Sequence, residues 1–562
     1  MSQVDVELGE LLAEGLPVPV QLTIRHVSST PSPSTALFAA PPGETPEPTF
    51  CENHFLSASV NLEEKDGAEV IVFGMEVLVY STAHLTTIFV SKADSTGYLH
   101  LLPNAPKVSI LRRISHTFLS FLVKTHQRPG VRLLVSLFAR AQNQYLFPGS
   151  IDNPQKHVLD DRGLIKWWCR VVDPILREYE PESGSQDKGA QDHQTESAKS
   201  SATAFLIVPG CDRFETRGFF PPLAKSDDKD RPRWLTSYPV HQLCDNPKAP
   251  PRCLVPRFPD DPKTRFLEDL DDELPKQEAE GVVSAENAGQ WRSVRSLDQF
   301  WEMMSFRQEC SAGRLVGFLW LVINPPGLVN SVQMTSSRSV LGDSKSLTDH
   351  VSQVMSGENV TSTKPASDAA SAPEHPTTDH DKQLSSDPTG DSTSPSAPQP
   401  AAILSETKTQ APQPSDADAF HWPEAGRGHA VLSEADYKTA INFLLDQDFD
   451  TEEASIASTK AWGEKVASLA DQLWVGQLVV GRNMKDESSQ KPVEVNTLMT
   501  TGLVRKRKKP DAEVEQNSKT GDEGGNAGAS TAAPPASSGS DPSPAVNVLQ
   551  ANLIRKKKKK KT

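Results

Sequence analysis

Two adjacent carboxylates, Asp260 and Asp261, lie between two prolines and are followed closely by Lys263 and Arg265. Proline fixes its own φ and favours extended geometry in the residue before it, so this segment is stiff and holds opposite charges close together. One interpretation is a surface turn whose carboxylates pair with the cations that follow, which contributes little energy. The other is a carboxylate pair that receives a cationic substrate or accepts its proton.

A lysine side chain shows what the second interpretation requires. At a pKa of about 10.4, only about one lysine amine in a few thousand is neutral at pH 7. Acyl transfer to this amine therefore needs a site that orients it and accepts its proton.

Two aromatic segments are candidates for a pocket wall. Tyr145 follows a predicted strand that ends at Phe138, and Trp167 and Trp168 are adjacent on a predicted helix. Adjacent helical residues point about 100° apart, and only Trp168 is in the apolar register. The two tryptophans are therefore either core and boundary packing or an aromatic wall of a pocket.

Hydrophobic periodicity predicts the elements that position these residues. Alternating apolar residues predict an antiparallel pair of strands over 70–80 and 85–90, and a further strand over 132–138. Apolar residues at helical spacing predict helices over 108–124 and about 163–179. Strands and helices alternate without a regular βαβ repeat, which favours an α+β (mixed α/β) fold with a central β-sheet surrounded by helices.

Composition divides the chain into ordered and disordered parts. Residues 1–325 are predicted as the first part of one large domain, with a flexible polar insertion at about 180–202. Residues 326–418 are rich in Ser, Thr, Pro and Asp, cannot bury a core and are predicted to be disordered. A helical part over 419–500 is predicted to complete the domain, followed by a disordered basic tail over 501–562.

Charge and cysteine spacing narrow the class of protein. The net charge is −15, yet residues 505–509 read RKRKK and residues 555–561 read RKKKKKK. Such clusters are typical of nuclear import or nucleic-acid contacts, with a solubilising tail as the alternative, and the acidic remainder favours a basic partner over naked DNA. No CxxC pair or Cys/His zinc spacing occurs and no apolar run spans a bilayer, so a soluble intracellular protein without metal is expected.

Seven segments together resemble one known family. In chain order they are FVSKADSTG at 89–97, QYLF at 144–147, KHVL at 156–159, LIKWW at 164–168, FPDDPKTRF at 258–266, WPE at 422–424 and LVRKRKK at 503–509. These segments resemble the fungal histone acetyltransferase family that modifies histone H3 with chaperone assistance and is related in fold to the CREB-binding-protein acetyltransferases. The resemblance covers about residues 1–325 and 420–510.

The resemblance implies acetyl-CoA as co-substrate and a tunnel for it beside the central sheet. It implies that four aromatic residues surround the path of the cofactor and the substrate lysine: Phe138, Tyr145, Trp167 and Trp168. CoA phosphates need cations, for which Lys156 and Arg265 are candidates; Lys166 is a weaker one because it is equally well explained as a solvated side chain.

The same resemblance assigns the catalytic residues. Besides Trp168, it makes Asp260 and Asp261 the acidic loop of the active site, and Asp94 falls where the family has a functionally important aspartate. Lys263 falls where the family has a buried lysine that the enzyme acetylates on itself and that supports activity. Whether the carboxylates act as bases or only position the substrate stays open.

The resemblance thus implies a nuclear enzyme that acetylates lysines of newly synthesised histone H3, in the H3–H4 complex and with histone chaperones, in chromatin assembly and the DNA-damage response. One alternative is a non-catalytic nuclear scaffold or histone chaperone, which disorder, acidity and basic tails also fit. Another is an acyltransferase for a small amine. Thermal stabilisation by acetyl-CoA separates an acetyltransferase from the scaffold.

Overall fold

The computed structural model describes eight stretches of the chain. They are residues 7–41, 44–102, 109–182, 199–244, 246–274, 289–310, 313–326 and 416–484. The tail predicted over 501–562 lies outside these stretches, as do nearly all of the tract over 326–418 and most of the insertion at 180–202. The disorder expected there stays a prediction.

Twelve strands form one mixed sheet within the described stretches. They are β1 (Gln21–Ser29), β2 (Ser32–Ser34), β3 (Thr49–Leu62), β4 (Ala68–Ser81), β5 (Leu85–Ser95), β6 (Arg132–Ala139), β7 (Glu180–Pro181), β8 (Ser201–Ile207), β9 (Trp234–Leu235), β10 (Gly317–Asn324), β11 (Ala430–Leu432) and β12 (Gln477–Val480). The main path is β11-β1-β3-β4-β5-β6-β10-β8-β7; β12 pairs with β1, β2 with β3 and β9 with β8.

The helices accompany this sheet. They are α1 (Leu8–Gly15), α2 (Ile110–His126), α3 (Asp161–Arg177), α4 (Arg213–Arg217), α5 (Val240–Leu243), α6 (Pro262–Asp271), α7 (Leu297–Met304), α8 (Asp416–Ala419), α9 (Glu434–Leu445) and α10 (Glu452–Leu469). The predicted mixed α/β class with a central sheet is confirmed. No helix among the described residues is long and apolar enough to cross a membrane.

The predicted strands and helices are present with small shifts at their ends. The antiparallel pair is β4 and β5, in which Val77 lies opposite Val90. The two predicted helices are α2 and α3, each displaced by two residues. For α3 the displacement has a clear cause, because the Asp160 side chain accepts a hydrogen bond from the Gly163 N–H at 2.7 Å and so caps an earlier start.

β5 and β6 are parallel, and this pairing sets the geometry of the site. Parallel neighbours require a crossover connection, which here is α2. The carboxyl ends of both strands therefore lie at the same edge of the sheet. One βαβ unit thus occurs in a sheet that is otherwise mostly antiparallel.

Helices cover both faces of the sheet. On one face, α2 and α3 bury Phe118 and Val172 in a core shared with alternate residues of β10 such as Leu321. On the other face, α6 and α7 bury Phe300 against Trp320 and its neighbours of the same strand. Because β10 is buried on both faces, its sequence is continuously apolar rather than alternating.

The C-terminal segment 416–484 joins the same sheet at β1. β11 pairs with β1 in parallel and β12 pairs with it antiparallel. Trp462 of α10 packs edge-on against Phe55 of β3 and donates its indole N–H to the Ala440 carbonyl at 3.1 Å. This tryptophan is 1% exposed and anchors the two long C-terminal helices to the sheet.

We expect Trp462→Ala to lower the free energy of unfolding by about 3–5 kcal/mol, because it removes a large buried ring and leaves a cavity. Trp474→Ala is the control, since Trp474 is 54% exposed, and it should cost less than about 1 kcal/mol. Urea unfolding followed by circular dichroism measures both. Equal losses would show that Trp462 does not anchor the C-terminal helices.

Candidate active site

A cavity of about 480 Å³ opens where the carboxyl ends of β5 and β6 meet. Its walls come from β4, β5, the start of α2, the end of β6, the loops that follow it, and α3. Six of the residues singled out from the sequence line this cavity together: Asp94, Phe138, Tyr145, Lys156, Trp167 and Trp168. Residues more than 70 positions apart in the chain therefore share one concave site.

Asp94 holds the loops around the cavity in place. Its Oδ2 accepts the backbone N–H groups of Tyr145 at 2.7 Å and Leu146 at 3.0 Å. Its Oδ1 accepts the Ser95 N–H at 2.8 Å and the Lys156 ammonium at 2.9 Å. A carboxylate that already accepts four hydrogen bonds is suited to positioning the site rather than to taking a proton from a substrate.

The charge of Lys156 is neutralised by its ion pair with Asp94. Besides Asp94, its ammonium reaches the Ser150 hydroxyl at 2.7 Å, and its side chain is only 3% exposed. The Tyr145 side chain is also held in place by a hydrogen bond, which its hydroxyl donates to the Arg140 carbonyl at 2.7 Å. Burial raises the pKa of this phenol to about 12, so Tyr145 is uncharged at neutral pH.

The two tryptophans serve both as core packing and as a wall of the cavity, which are the two interpretations that the sequence left open. Trp168 is 5% exposed and belongs to the main core, while Trp167 packs against that core from its boundary. Their rings are perpendicular with centroids 4.9 Å apart, and both line the cavity. Core packing therefore fixes the orientation of an aromatic wall.

The segment with the paired carboxylates begins a helix rather than forming an isolated loop. Asp261 is the N-cap of α6 and accepts the Lys263 N–H at 2.9 Å. Asp260 has a φ of +58°, a left-handed conformation that costs energy for a residue with a side chain. The strained turn directs the Asp260 side chain outward, where it is 60% exposed and its Oδ2 lies 3.1 Å from Lys92 Nζ.

Asp261 and Lys263 form a buried ion pair. Both side chains are 1% exposed, and the Lys263 ammonium contacts Asp261 Oδ2 directly. The same ammonium lies 4.6 Å from the ring centroid of Phe318, a cation–π contact. Burial lowers the pKa of Lys263, and the neighbouring carboxylate opposes that change. The surface-turn interpretation correctly predicted that a carboxylate pairs with Lys263. It was wrong about exposure, because this pair is buried.

Lys92 was missed by sequence reasoning and connects the cavity to the acidic turn. It lines the cavity and lies 3.0 Å from Glu76 Oε2 and 3.1 Å from Asp260 Oδ2. Burial lowers the pKa of this ammonium, but Glu76 and Asp260 outweigh burial and raise the pKa overall. Tyr437 of α9 donates to the other oxygen of Glu76 at 3.5 Å, so the C-terminal segment supports the same chain of contacts.

The cations that line the cavity overlap only in part with those expected. Arg140 lines it, half-buried, and within the described stretches its guanidinium has no hydrogen-bond or ion-pair partner. Arg265 is 58% exposed, lies 3.7 Å from Glu309 and does not line the cavity, and neither does the exposed Lys166. The only sequence signal for Arg140 is its position directly after β6, because residues at the carboxyl ends of parallel strands face ligand sites.

The mixed sheet carries an aromatic-walled cavity at the ends of parallel strands, beside an acidic turn. This arrangement is that of an enzyme active site, and comparison with known proteins identifies the class of enzyme. The family model described as "Histone acetyltransferase KAT11-type domain" matches residues 8–132 and 128–465. The chain belongs to this family and is a histone lysine acetyltransferase. The predicted histone acetyltransferase function is therefore confirmed, and the alternative of a non-catalytic scaffold is not supported.

Individual relatives agree. Histone acetyltransferase rtt109 of Aspergillus flavus is 67% identical over the whole length of both chains. Histone acetyltransferase rtt109 of Schizosaccharomyces pombe is 33% identical over 302 residues, which cover 54% of this chain and 67% of the relative. The crystal structure of Rtt109 from Aspergillus fumigatus matches with a TM-score of 0.67 and 66% identity, covering 85% of this chain and 100% of that one.

The Asp94–Lys156 pair can be tested by unfolding experiments. Asp94→Asn removes the charge that neutralises a buried ammonium, so we expect the free energy of unfolding to fall by about 3–5 kcal/mol. Lys156→Met removes the stranded cation, so the double variant should recover part of this loss, with a coupling above about 1 kcal/mol in a double-mutant cycle. Additive losses would contradict the pairing.

Proposed function

We propose that the cavity binds acetyl-CoA and that the Asp260 turn receives the lysine to be acetylated. The observation that carries this proposal is the ion pair between Lys92 and Asp260, because it holds an exposed carboxylate at the border of an aromatic-walled cavity. The family's activity implies acetyl-CoA, and a volume of about 480 Å³ is within the range of cofactor sites.

The residues of the cavity fit this co-substrate. Arg140 supplies a guanidinium that has no partner among the described residues, which suits the phosphates of CoA. Lys156 contributes less to phosphate binding than the sequence implied, since Asp94 already neutralises it. Tyr145, Trp167 and Trp168 provide flat apolar surface against which a thioester and a lysine stem align with little water.

Asp260 and Asp261 have different roles in this proposal. Asp260 is exposed, so it attracts the substrate ammonium and orients the amine toward the cavity. Asp261 is buried, caps α6 and pairs with Lys263, so it positions the turn. With acetyl-CoA bound, the ammonium would first lose one proton toward the carboxylate of Asp260 and the solvent. The neutral amine nitrogen would then form the C–N bond with the thioester carbonyl carbon while the C–S bond breaks. CoA would leave as the thiolate and take up the second proton of the amine nitrogen.

The substrate in this proposal is histone H3 within the H3–H4 complex, presented by histone chaperones in the nucleus. The support is the acidic net charge of −15, which attracts basic histone tails. Import would use the basic clusters at 505–509 and 555–561, which lie outside the described residues. A role in chromatin assembly and the DNA-damage response follows from acetylation of newly made histones.

Lys263 is proposed to be acetylated by the enzyme's own activity. Acetylation removes a buried positive charge together with its desolvation cost. It also replaces the ion pair with Asp261 by an amide contact, which changes the field at the neighbouring Asp260. The Phe318 ring that faces the Lys263 ammonium is paired in the sheet with Phe138, a residue that lines the cavity.

A transfer assay tests the site. With acetyl-CoA, H3–H4 and a histone chaperone present, Asp260→Asn, Asp261→Asn and Trp168→Ala should each lower kcat/KM at least about tenfold, because the lysine or the thioester is no longer oriented. Asp272→Asn is the matched control, since Asp272 is an exposed aspartate at the end of α6. Full activity in all three variants would exclude this site.

Peptide mass spectrometry tests the self-modification. After incubation with acetyl-CoA, the peptide that contains Lys263 should gain the mass of one acetyl group, and Asp260→Asn should prevent this. Lys263→Gln, which mimics the neutral side chain, should be more active than Lys263→Arg, which keeps the buried charge. An enzyme that is fully active while Lys263 is unmodified would remove this part of the proposal.

A further inference from the structure

A second cluster of ligand-type side chains lies outside the cavity. Glu52 and His54 are two residues apart on β3 and share one face, and His126 is the last residue of α2. All three are buried, and one ligand atom of each lies within 4.8 Å of the other two. A carboxylate oxygen and two imidazole nitrogens form a donor set that zinc accepts.

Both histidines contact the same carboxylate oxygen of Glu52. His54 Nε2 lies 3.0 Å from Glu52 Oε1, and His126 Nε2 contacts the same oxygen. None of the three side chains is more than 4% exposed. Water therefore does little to solvate the carboxylate, which must be neutralised from within the protein.

The other nitrogen of each imidazole is held by a partner that fixes the ring. His126 Nδ1 lies 2.9 Å from the Leu122 carbonyl oxygen, which only accepts, and 3.0 Å from the Thr125 hydroxyl. Because that hydroxyl donates to the Phe121 carbonyl at 3.0 Å, both contacts of Nδ1 are satisfied when this nitrogen carries a proton. His54 Nδ1 lies 3.0 Å from His26 Nε2. A neutral His126 held in this way turns the lone pair of Nε2 toward the carboxylate. Two facing lone pairs repel unless a cation binds both of them. A zinc ion would take each donor atom at about 2.0–2.2 Å, so Nε2 and Oε1 must move apart from their present direct contact to admit it. Outer hydrogen bonds of this kind orient metal-bound histidines.

A further imidazole approaches from the C-terminal segment. The ring centroid of His421 is 6.3 Å from that of His126. Its Nε2 is buried, and within the described stretches it has no hydrogen-bond partner. A buried nitrogen without a partner costs free energy, so this position favours a group that would engage it.

We propose that Glu52, His54 and His126 bind a zinc ion that ties β3 to the end of α2. The site is separate from the cavity, because His126 lies about 24 Å along α2 from Ile110, which lines the cavity. Three protein ligands leave a fourth tetrahedral position, for which the buried Nε2 of His421 is the candidate, and a closed site of that kind is structural rather than catalytic. The sequence-based expectation of no metal rested on cysteine spacing and did not consider ligands separated by 72 residues.

Metal analysis of the full-length protein tests the proposal. The protein is purified without a polyhistidine tag, dialysed against metal-free buffer and measured by inductively coupled plasma mass spectrometry. We expect about one zinc per chain, falling to background in His126→Gln and Glu52→Gln. His116→Gln is the matched control, because His116 lies on the same helix and contacts the Val171 carbonyl at 3.3 Å instead; it should keep the zinc.

A chelator experiment on the wild-type protein keeps the test decisive if these variants fail to fold. Removing zinc with 1,10-phenanthroline should lower Tm by several degrees, and added zinc should restore it. Less than about a tenth of a zinc per chain, before and after incubation with zinc, and an unchanged Tm would overturn the proposal. The cation would then be the proton of a His126 imidazolium. Equal zinc in the wild type, His126→Gln and Glu52→Gln would also overturn it.

Discussion

The parallel pairing of β5 and β6 is the constraint from which the architecture of the site follows. Parallel neighbours cannot be joined by a tight turn, so α2 must cross between them. The crossover leaves two carboxyl-terminal strand ends side by side, with Asp94 on one and Phe138 on the other. The loops that follow these two ends, together with β4, the start of α2 and α3, form the walls of the cavity.

Charge in and around the cavity is arranged in pairs. Lys92, Lys156 and Lys263 each contact a carboxylate, and their side chains are largely or fully buried. Such pairs fix conformation because breaking one strands a charge in a poorly solvated place. Arg140 differs from these lysines in having no such partner in the described residues. An enzyme that binds an anionic co-substrate and a cationic substrate benefits from this division between structural and available charge.

The sequence predicted those features that depend on local pattern. Strands and helices were found because periodicity reports which face of an element is buried, and Trp168 was found because it continues a helical stripe. Lys92 was missed because its partners, Glu76 and Asp260, come from a neighbouring strand and a distant turn. A shift in register between β4 and β5 beside Glu76 also changes which residues lie opposite each other. The hydrophobic pattern of neither strand predicts this shift.

The acidic turn shows the same limit. Its sequence predicted stiffness and a carboxylate–lysine pair, both of which the fold contains. The local pattern did not predict burial, which only the family resemblance implied for Lys263, because Asp261 and Lys263 are covered by Phe258 and by Phe318 of β10, residues whose position depends on the whole sheet. The relatives identified the family, whereas the proposed division of roles between the two adjacent aspartates rests on the three-dimensional contacts.

β1 is flanked by partners from distant parts of the chain. On one side it pairs with β3, and on the other with β11 and β12, whose residues lie about 400 and 450 positions later. During synthesis this edge of the sheet therefore stays open until nearly the whole protein has left the ribosome. An open edge is a template for pairing with other chains, so a nascent chain of this enzyme needs protection for most of its translation.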